Sequence, residues 1–398
     1  MRSFGVEEEL LIVDPSTGAP LPLATRLLQM ASGSPADGPS LHAEFKQEQI
    51  EANTRPCFTA AELLTDIQTG RALADAAAAT VGARVAALAT PPIFAATPTD
   101  GDARFATMSG KFGLIAREQL TCGLHVHVSI DSEEEGIAVL DRIRVWLPLV
   151  LALSANSPFW AGVDAGFASY RSQIWNRWPS AGPMPIYGSV AGYRQLVDSM
   201  LSTDVLLDEG MVYFDARLSR THPTVEIRIA DVCMASEDAC TLATLIRGLV
   251  EASANEWKHG RSPALIPATL LRLATWQASR FGVETNLLHP FLHRPSPAAD
   301  IVVAALEHAQ EPLTQAGDFD AVSAGLGRIM ARGSGERLQR AAHADGGRLA
   351  DVVAAAVVRT HAAPQTHAAA QVTDPLPFPP AVGTRSRCLT DAHHKELE

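Results

Sequence analysis

No block of lysine and arginine occurs anywhere in this 398-residue chain, whose formal charge is −12. A nucleic-acid footprint is therefore not expected. A CxxC pair is also absent: Cys57, Cys122, Cys233, Cys240 and Cys388 are scattered and odd in number. Reduced thiols in a cytosolic protein are the expectation. The longest strongly apolar run, residues 145–155, is too short to cross a bilayer and contains Pro148. Missing as well are a Gly-rich phosphate loop, a dinucleotide fingerprint and a Ser-His-Asp elbow. Arg2 leads directly into a patterned acidic segment, so no cleaved leader and a cytoplasmic location are expected. At 47% apolar, the chain can bury a substantial core.

Three short segments then stand out, residues 5–14, 123–129 and 224–231. A strand repeats every two residues, so positions i and i+2 share a face. In the first segment Glu7 and Glu9 share a face and Glu8 takes the other. In the second, Leu124, Val126 and Val128 point one way and His125, His127 and Ser129 the other. In the third, Val225, Ile227 and Ile229 are core-facing, and Glu226 and Arg228 stand opposite. Such a sheet face suits metals bound together with an anionic, phosphate-bearing substrate.

The connecting stretches set the organisation. Thr59-Ala60-Ala61-Glu62 is a capping box that opens an alanine-rich helix to about Leu88, stopped by Pro91-Pro92. Residues 41–53 read as one extended region. Ser132 caps a helix reaching about Ala155, and 156–188 is an irregular, Trp-containing loop of the kind that often binds ligand. Residues 211–232 form a hairpin turning at 219–223. Helices follow near 237–258, 265–281, 298–310, 318–332 and 336–360. The predicted class is α+β, one mostly antiparallel sheet with helices on its back. Residues 1–361 make the catalytic domain and 362–398 a disordered tail.

Each candidate has a chemical reason. Paired carboxylates such as Glu7 and Glu9 repel each other, and a hard divalent cation removes that cost. Histidines at i and i+2, His125 and His127, aim two imidazoles at one point; the same pair also suits a zinc hydrolase. Glu226 is read as a metal ligand and Arg228 as a phosphate-binding fork, with Arg217 on the partner strand as a second cation. Glu44, Glu48 and Glu51 add three carboxylates. Glu44 and Glu51 would lie on opposite faces of a regular strand, so a bend or bulge is needed to bring both to the site.

Taken in order, Gly5-x-Glu7-x-Glu9, Glu44 to Glu51, Gly123-Leu-His-Val-His, Tyr170-Arg171-Ser172 with Arg177-Trp178-Pro179, and Pro223-Thr-Val-Glu-Ile-Arg228 resemble the bacterial carboxylate–amine ligases. These are also called glutamate–cysteine ligase type 2, relatives of glutamine synthetase. The resemblance spans about residues 3–360 and includes Trp276 and Arg280-Phe281-Gly282. It implies an antiparallel sheet of the glutamine synthetase catalytic type, curved into a funnel, with ATP and two or three Mg²⁺ ions at its mouth, in a homodimer. Glu7, Glu9, Glu44, Glu51, His125 and Glu226 look like the metal-facing set, with His127 beside them. Arg228 looks like the γ-phosphate arginine; Glu226, Glu51 and Arg228 are read as catalytic, and Arg228, Arg217 and Arg171 as cofactor-binding. Arg171 is the expected partner of a substrate carboxylate, or else a loop arginine stacked on Trp175 or Trp178. The implied reaction joins the γ-carboxylate of L-glutamate to the amine of L-cysteine through an acyl phosphate. Another small-molecule amine could replace cysteine, and a hydrolase using His125 and His127 is the rival.

Overall fold

In the computed structural model, residues 1–30, 38–93 and 103–362 are described. The first strand, β1 (Phe4–Val13), is followed by α1 (Ala24–Met30), β2 (Ser40–Ala43), β3 (Gln49–Asn53), α2 (Ala60–Ala79) and β4 (Arg84–Ala86). Then come α3 (Ala103–Phe112), α4 (Leu114–Arg117), β5 (Gly123–Ser129), α5 (Glu133–Ile143) and α6 (Leu147–Ser154). Two short strands, β6 (Phe159–Trp160) and β7 (Val163–Asp164), precede α7 (Tyr170–Trp175) and α8 (Val190–Leu201). The hairpin β8 (Ala216–Leu218) and β9 (Thr224–Asp231) leads into α9 (Ser236–Lys258) and α10 (Ala268–Phe281). A last small pair, β10 (Asn286–Leu288) and β11 (Pro295–Pro297), precedes α11 (Ala298–His308), α12 (Gln310–Ala316), α13 (Phe319–Arg332), α14 (Gly335–Gly346) and α15 (Leu349–Thr360).

The main sheet runs β2-β3-β1-β5-β9-β8, with β4 also paired to β1, and every pairing is antiparallel. Helices α2, α5, α6 and α9 pack on one side of it. This is the α+β class expected from the sequence. Alternation explains the orientation of β1. Val6, Glu8, Leu10 and Ile12 go to the helix side, where Glu8 is satisfied by a buried bidentate pair with Arg71 of α2 at 2.7 and 2.8 Å. Arg71 also donates to the carbonyls of Cys233, Met234 and Thr360, so one guanidinium ties α2 to the ends of β9 and α15. Glu7 and Glu9 are left on the open side.

Several element boundaries differ from expectation. Helix α2 begins at its capping box but stops at Ala79, because Gly82 turns the chain (φ 77°) and Val85 to Ala89 are wanted in the core. The helix expected from Ser132 to Ala155 is two, since Arg144–Trp146 breaks the run and Pro148 opens α6. The apolar run seen in the sequence is mostly that second helix, buried throughout. The 336–360 helix splits at Gly347 (φ 73°), and α8 was not anticipated. Residues 41–53 are not one extended strand but the antiparallel pair β2–β3. The described residues belong to a single compact unit, Met1–Pro364. The expected tail lies, from residue 363 on, outside the described residues. Among those described, no helix is long and apolar enough to cross a membrane.

Candidate active site on the open sheet face

Register aligns the polar residues in a band across five strands. Glu51 of β3 faces Glu9 of β1, Glu7 faces His125 of β5, His127 faces Glu226 of β9, and Glu226 faces Arg217 of β8. Glu44 joins them from just beyond β2. Because β2 and β3 turn back on one another, Glu44 and Glu51 reach one site without the bend that a single strand would have required. Glu48 does not line the cavity: it is buried at the β2–β3 turn near Lys46. The band floors a cavity of about 420 Å³, walled on other sides by Trp175, Trp178, Tyr213, Phe105 and Met108 and carrying Arg104 and Arg220 as well.

The side chains are closely set. Glu7 Oε2 lies 3.1 Å from His125 Nδ1, and Glu7 Oε1 lies 3.2 Å from His127 Nε2. Glu9 accepts the Gly123 N–H at 2.5 Å and sits 3.7 Å from His125 Nε2. Arg217 donates to Glu226 at 2.7 Å, and Arg228 pairs with the same carboxylate. His125 Nε2 and Arg228 Nε are buried without a hydrogen-bond partner. Orphaned buried donors and acceptors of this kind are costly, and their clustering in one cavity indicates a ligand.

The proton affinities follow from these contacts. Burial alone would raise the Glu7 carboxyl, but His125 and His127 outweigh it and hold it low. Burial raises Glu226 too, yet the charges of Arg228 and Arg217 bring it well below the usual range. Glu9 and Glu51 go the other way: burial pushes both up, and neighbouring carboxylates, Glu44 above all, push further. Burial, then Arg228, lowers His125, keeping the imidazole neutral and able to ligate. Among the described residues, three donor groups have atoms mutually within 4.8 Å: Glu7, His127 and Glu226; Glu7, Glu51 and His125; Glu9, Glu44 and Glu51. Mostly carboxylate, with at most one imidazole each, they fit hard divalent cations.

Arg171 had two expected places, on a substrate carboxylate or stacked on a tryptophan. It does not line the cavity; its buried guanidinium donates to the carbonyls of Ile229 (3.2 Å) and Arg228 (3.3 Å) and lies 5.7 Å from the Trp175 ring centre. Of the two outcomes considered for it, the stacked one on Trp175 is found. Gln49, Gln119, Thr121, Arg104, Tyr213 and Arg220 line the cavity without having been singled out. Gln49 was within reach of the two-residue period, since it shares a face with Glu51. Nothing local marks Arg104, which arrives on α3.

The mostly antiparallel sheet with helices behind it is a fold found in solved ligase structures. The crystal structure of glutamate–cysteine ligase from Francisella tularensis in complex with AMP superposes with a TM-score of 0.62 at 12% identity, covering 90% of this chain and 88% of that one. The chain itself belongs to glutamate-cysteine ligase family 2, whose model matches residues 3–355, and is thus an amide-bond-forming ligase. A Paenarthrobacter aurescens protein provisionally named glutamate–cysteine ligase 2-1 is 60% identical over 366 residues, 91% of this chain and 95% of that protein. A Streptomyces coelicolor protein provisionally named glutamate–cysteine ligase 2 is 47% identical over 364 residues, 91% of this chain and 100% of its own length.

Proposed function

We propose that the chain is an ATP-dependent carboxylate–amine ligase that joins the γ-carboxylate of L-glutamate to the amine of L-cysteine through an acyl phosphate, with Mg²⁺ as cofactor. The observation that carries this reading is the overlap of three donor groups, through shared Glu7 and Glu51, beside the guanidinium of Arg228. The names of the relatives and the AMP bound to the Francisella enzyme support the choice of substrates. A cytoplasmic homodimer working on small molecules goes with it.

A carboxylate cannot expel oxide at neutral pH, so its oxygen must first be made a leaving group. The donor carboxylate oxygen attacks the γ-phosphorus of ATP, the bond to ADP breaks, and an acyl phosphate forms. The amine then attacks the acyl carbon, loses a proton, and phosphate departs with the carbon–oxygen pair. Two or three Mg²⁺ ions, held by Glu7, Glu9, Glu44, Glu51, His125, His127 and Glu226, would supply charge neutralisation at the phosphates. Arg228, with its Nε free, adds positive charge where the transferring phosphoryl group spreads its own. Arg217 holds Glu226 in place by its two-pronged contact. Trp175, Trp178 and Tyr213 line the cavity wall, where they would limit the access of water that hydrolyses an acyl phosphate. The same chemistry with another amine is the second reading. A zinc hydrolase is disfavoured because His125 and His127 fall in different donor groups.

The test is phosphate release from MgATP with L-glutamate across a panel of amines, with products identified by mass. Cysteine-dependent release with γ-glutamylcysteine as product is expected; another productive amine would change the acceptor, and no nucleotide binding would sink the ligase. Glu9→Gln and Glu226→Gln should each abolish turnover while leaving the circular dichroism spectrum unchanged. Full turnover in either variant would remove that residue from the site.

A further inference from the structure

We propose that Arg171 is a positioning residue that sets Arg228 in the site by bracing a bulge in β9. The register of β5 with β9 slips between two pairs, Leu124 with Ala230 and Val126 with Ile227. One residue of β5, His125, therefore faces two of β9, Arg228 and Ile229. A bulge of this kind re-aims a side chain and frees backbone groups from the ladder. The carbonyls of those two residues are the ones that accept from Arg171, at 3.3 and 3.2 Å.

The surroundings leave the guanidinium little other work. Asp231, 3.8 Å away, already accepts from the Asn156 N–H and from the hydroxyls of Ser157 and Ser169 at 2.7–2.8 Å. The Arg171 backbone N–H is itself held by Ser157 Oγ at 3.0 Å, which fixes the start of α7 against the sheet. Space for the guanidinium exists because residue 123 is glycine: a Cβ there would come within 2.2 Å of Arg171 Nη2. Trp175, one turn further along α7, lies 5.7 Å from the Arg171 guanidinium and 5.9 Å from that of Arg228. Backbone and ring together thus connect Arg171 to Arg228 without Arg171 entering the cavity.

The kinetic arm of the test rests on the ligase reading above; the structural arm does not. With glutamate and the productive amine, Arg171→Met should lower kcat for phosphate release about 100-fold, the scale of a small misplacement at a reacting centre, with KM for the donor carboxylate little changed. The double variant with Arg228→Met should be no slower than Arg228→Met alone, and Arg171→Lys, which cannot span both carbonyls, should not rescue. A raised KM at unchanged kcat, or losses that multiply in the double variant, would show Arg171 binding substrate itself and overturn the proposal.

In the crystal structure of Arg171→Met, Arg228 should leave Glu226 and the two-for-one register opposite His125 should relax. An unmoved Arg228 on an intact bulge would overturn the proposal whatever the activity. If Arg171→Met does not fold, Gly123→Ala displaces the guanidinium without deleting it and gives the same two readouts. Lack of turnover in the unaltered protein counts against the ligase alone, and the crystal structures still decide the role of Arg171.

Discussion

A buried glutamate keeps or sheds its proton according to what faces it, and this chain contains both outcomes. Glu135, in the first turn of α5, receives Arg2 at 2.6 Å, the Asp131 N–H at 3.0 Å and Lys258 at 3.2 Å. Burial opposes ionisation there, but Arg2 outweighs it, and the carboxyl is brought down to about 2. That is below the value of about 4.3 for glutamate in an unfolded chain, so the ionised form favours the folded state. The contribution is full above about pH 4.3 and is lost as pH falls through about 2. Glu135→Gln should therefore lower the melting temperature at neutral pH, with the gap to the parent protein closing on acidification; a gap independent of pH would refute the ion pair's role. At this scale the two-residue period put Glu7, Glu9, His125, His127, Glu226 and Arg228 on one face, and they do share it. Which of the two outcomes left open for Arg171 would hold was not legible, because its place depends on the absent side chain of Gly123, a residue distant in sequence.

Helix starts were easier to read than helix stops. The Thr59 hydroxyl accepts from the Glu62 N–H at 3.2 Å, while the Glu62 carboxylate accepts from the Phe58 and Thr59 N–H groups at 2.9 and 3.1 Å. Such a box is encoded by residues three apart and needs nothing from the rest of the fold. Thr59→Ala should cost about 1 kcal/mol in urea unfolding, the usual value for a lost N-cap. A change below a few tenths would mean that α2 is held by packing alone. The end of α2 is another matter. Alanine-rich sequence continues past Ala79, and only pairing with β1 makes Arg84–Ala86 a strand. The β2–β3 turn is similar: spacing between Glu44 and Glu51 suggested a distorted strand, whereas the fold uses a reversal.

For the whole molecule, the band of carboxylates is a liability until something positive occupies it. Burial, then the charges of Glu44, Glu7 and Glu9, raises the proton affinity of Glu51 in the folded protein. A raised value favours the fold below the ordinary glutamate range, and that benefit is lost as pH climbs through the folded value. Without metal, Glu51→Gln should accordingly raise the melting temperature at neutral and alkaline pH. Adding Mg²⁺ should stabilise the parent protein, with release of protons, and stabilise Glu51→Gln much less. Scanning calorimetry with and without EDTA, and titration calorimetry in buffers of different ionisation enthalpy, read both effects. Equal stabilisation of the two proteins by Mg²⁺ would place the ions elsewhere.

By itself the sequence determined the class of fold, the family and the polar face of three strands, because strand alternation and helix caps are local and the ordered motifs are specific. Tertiary structure alone decided which strands are neighbours, and hence that Glu51 faces Glu9 and His127 faces Glu226. It also decided that Arg171 lies beneath the site and Arg104 beside it. Those facts depend on register and on chain segments far apart in sequence, which local periodicity does not encode.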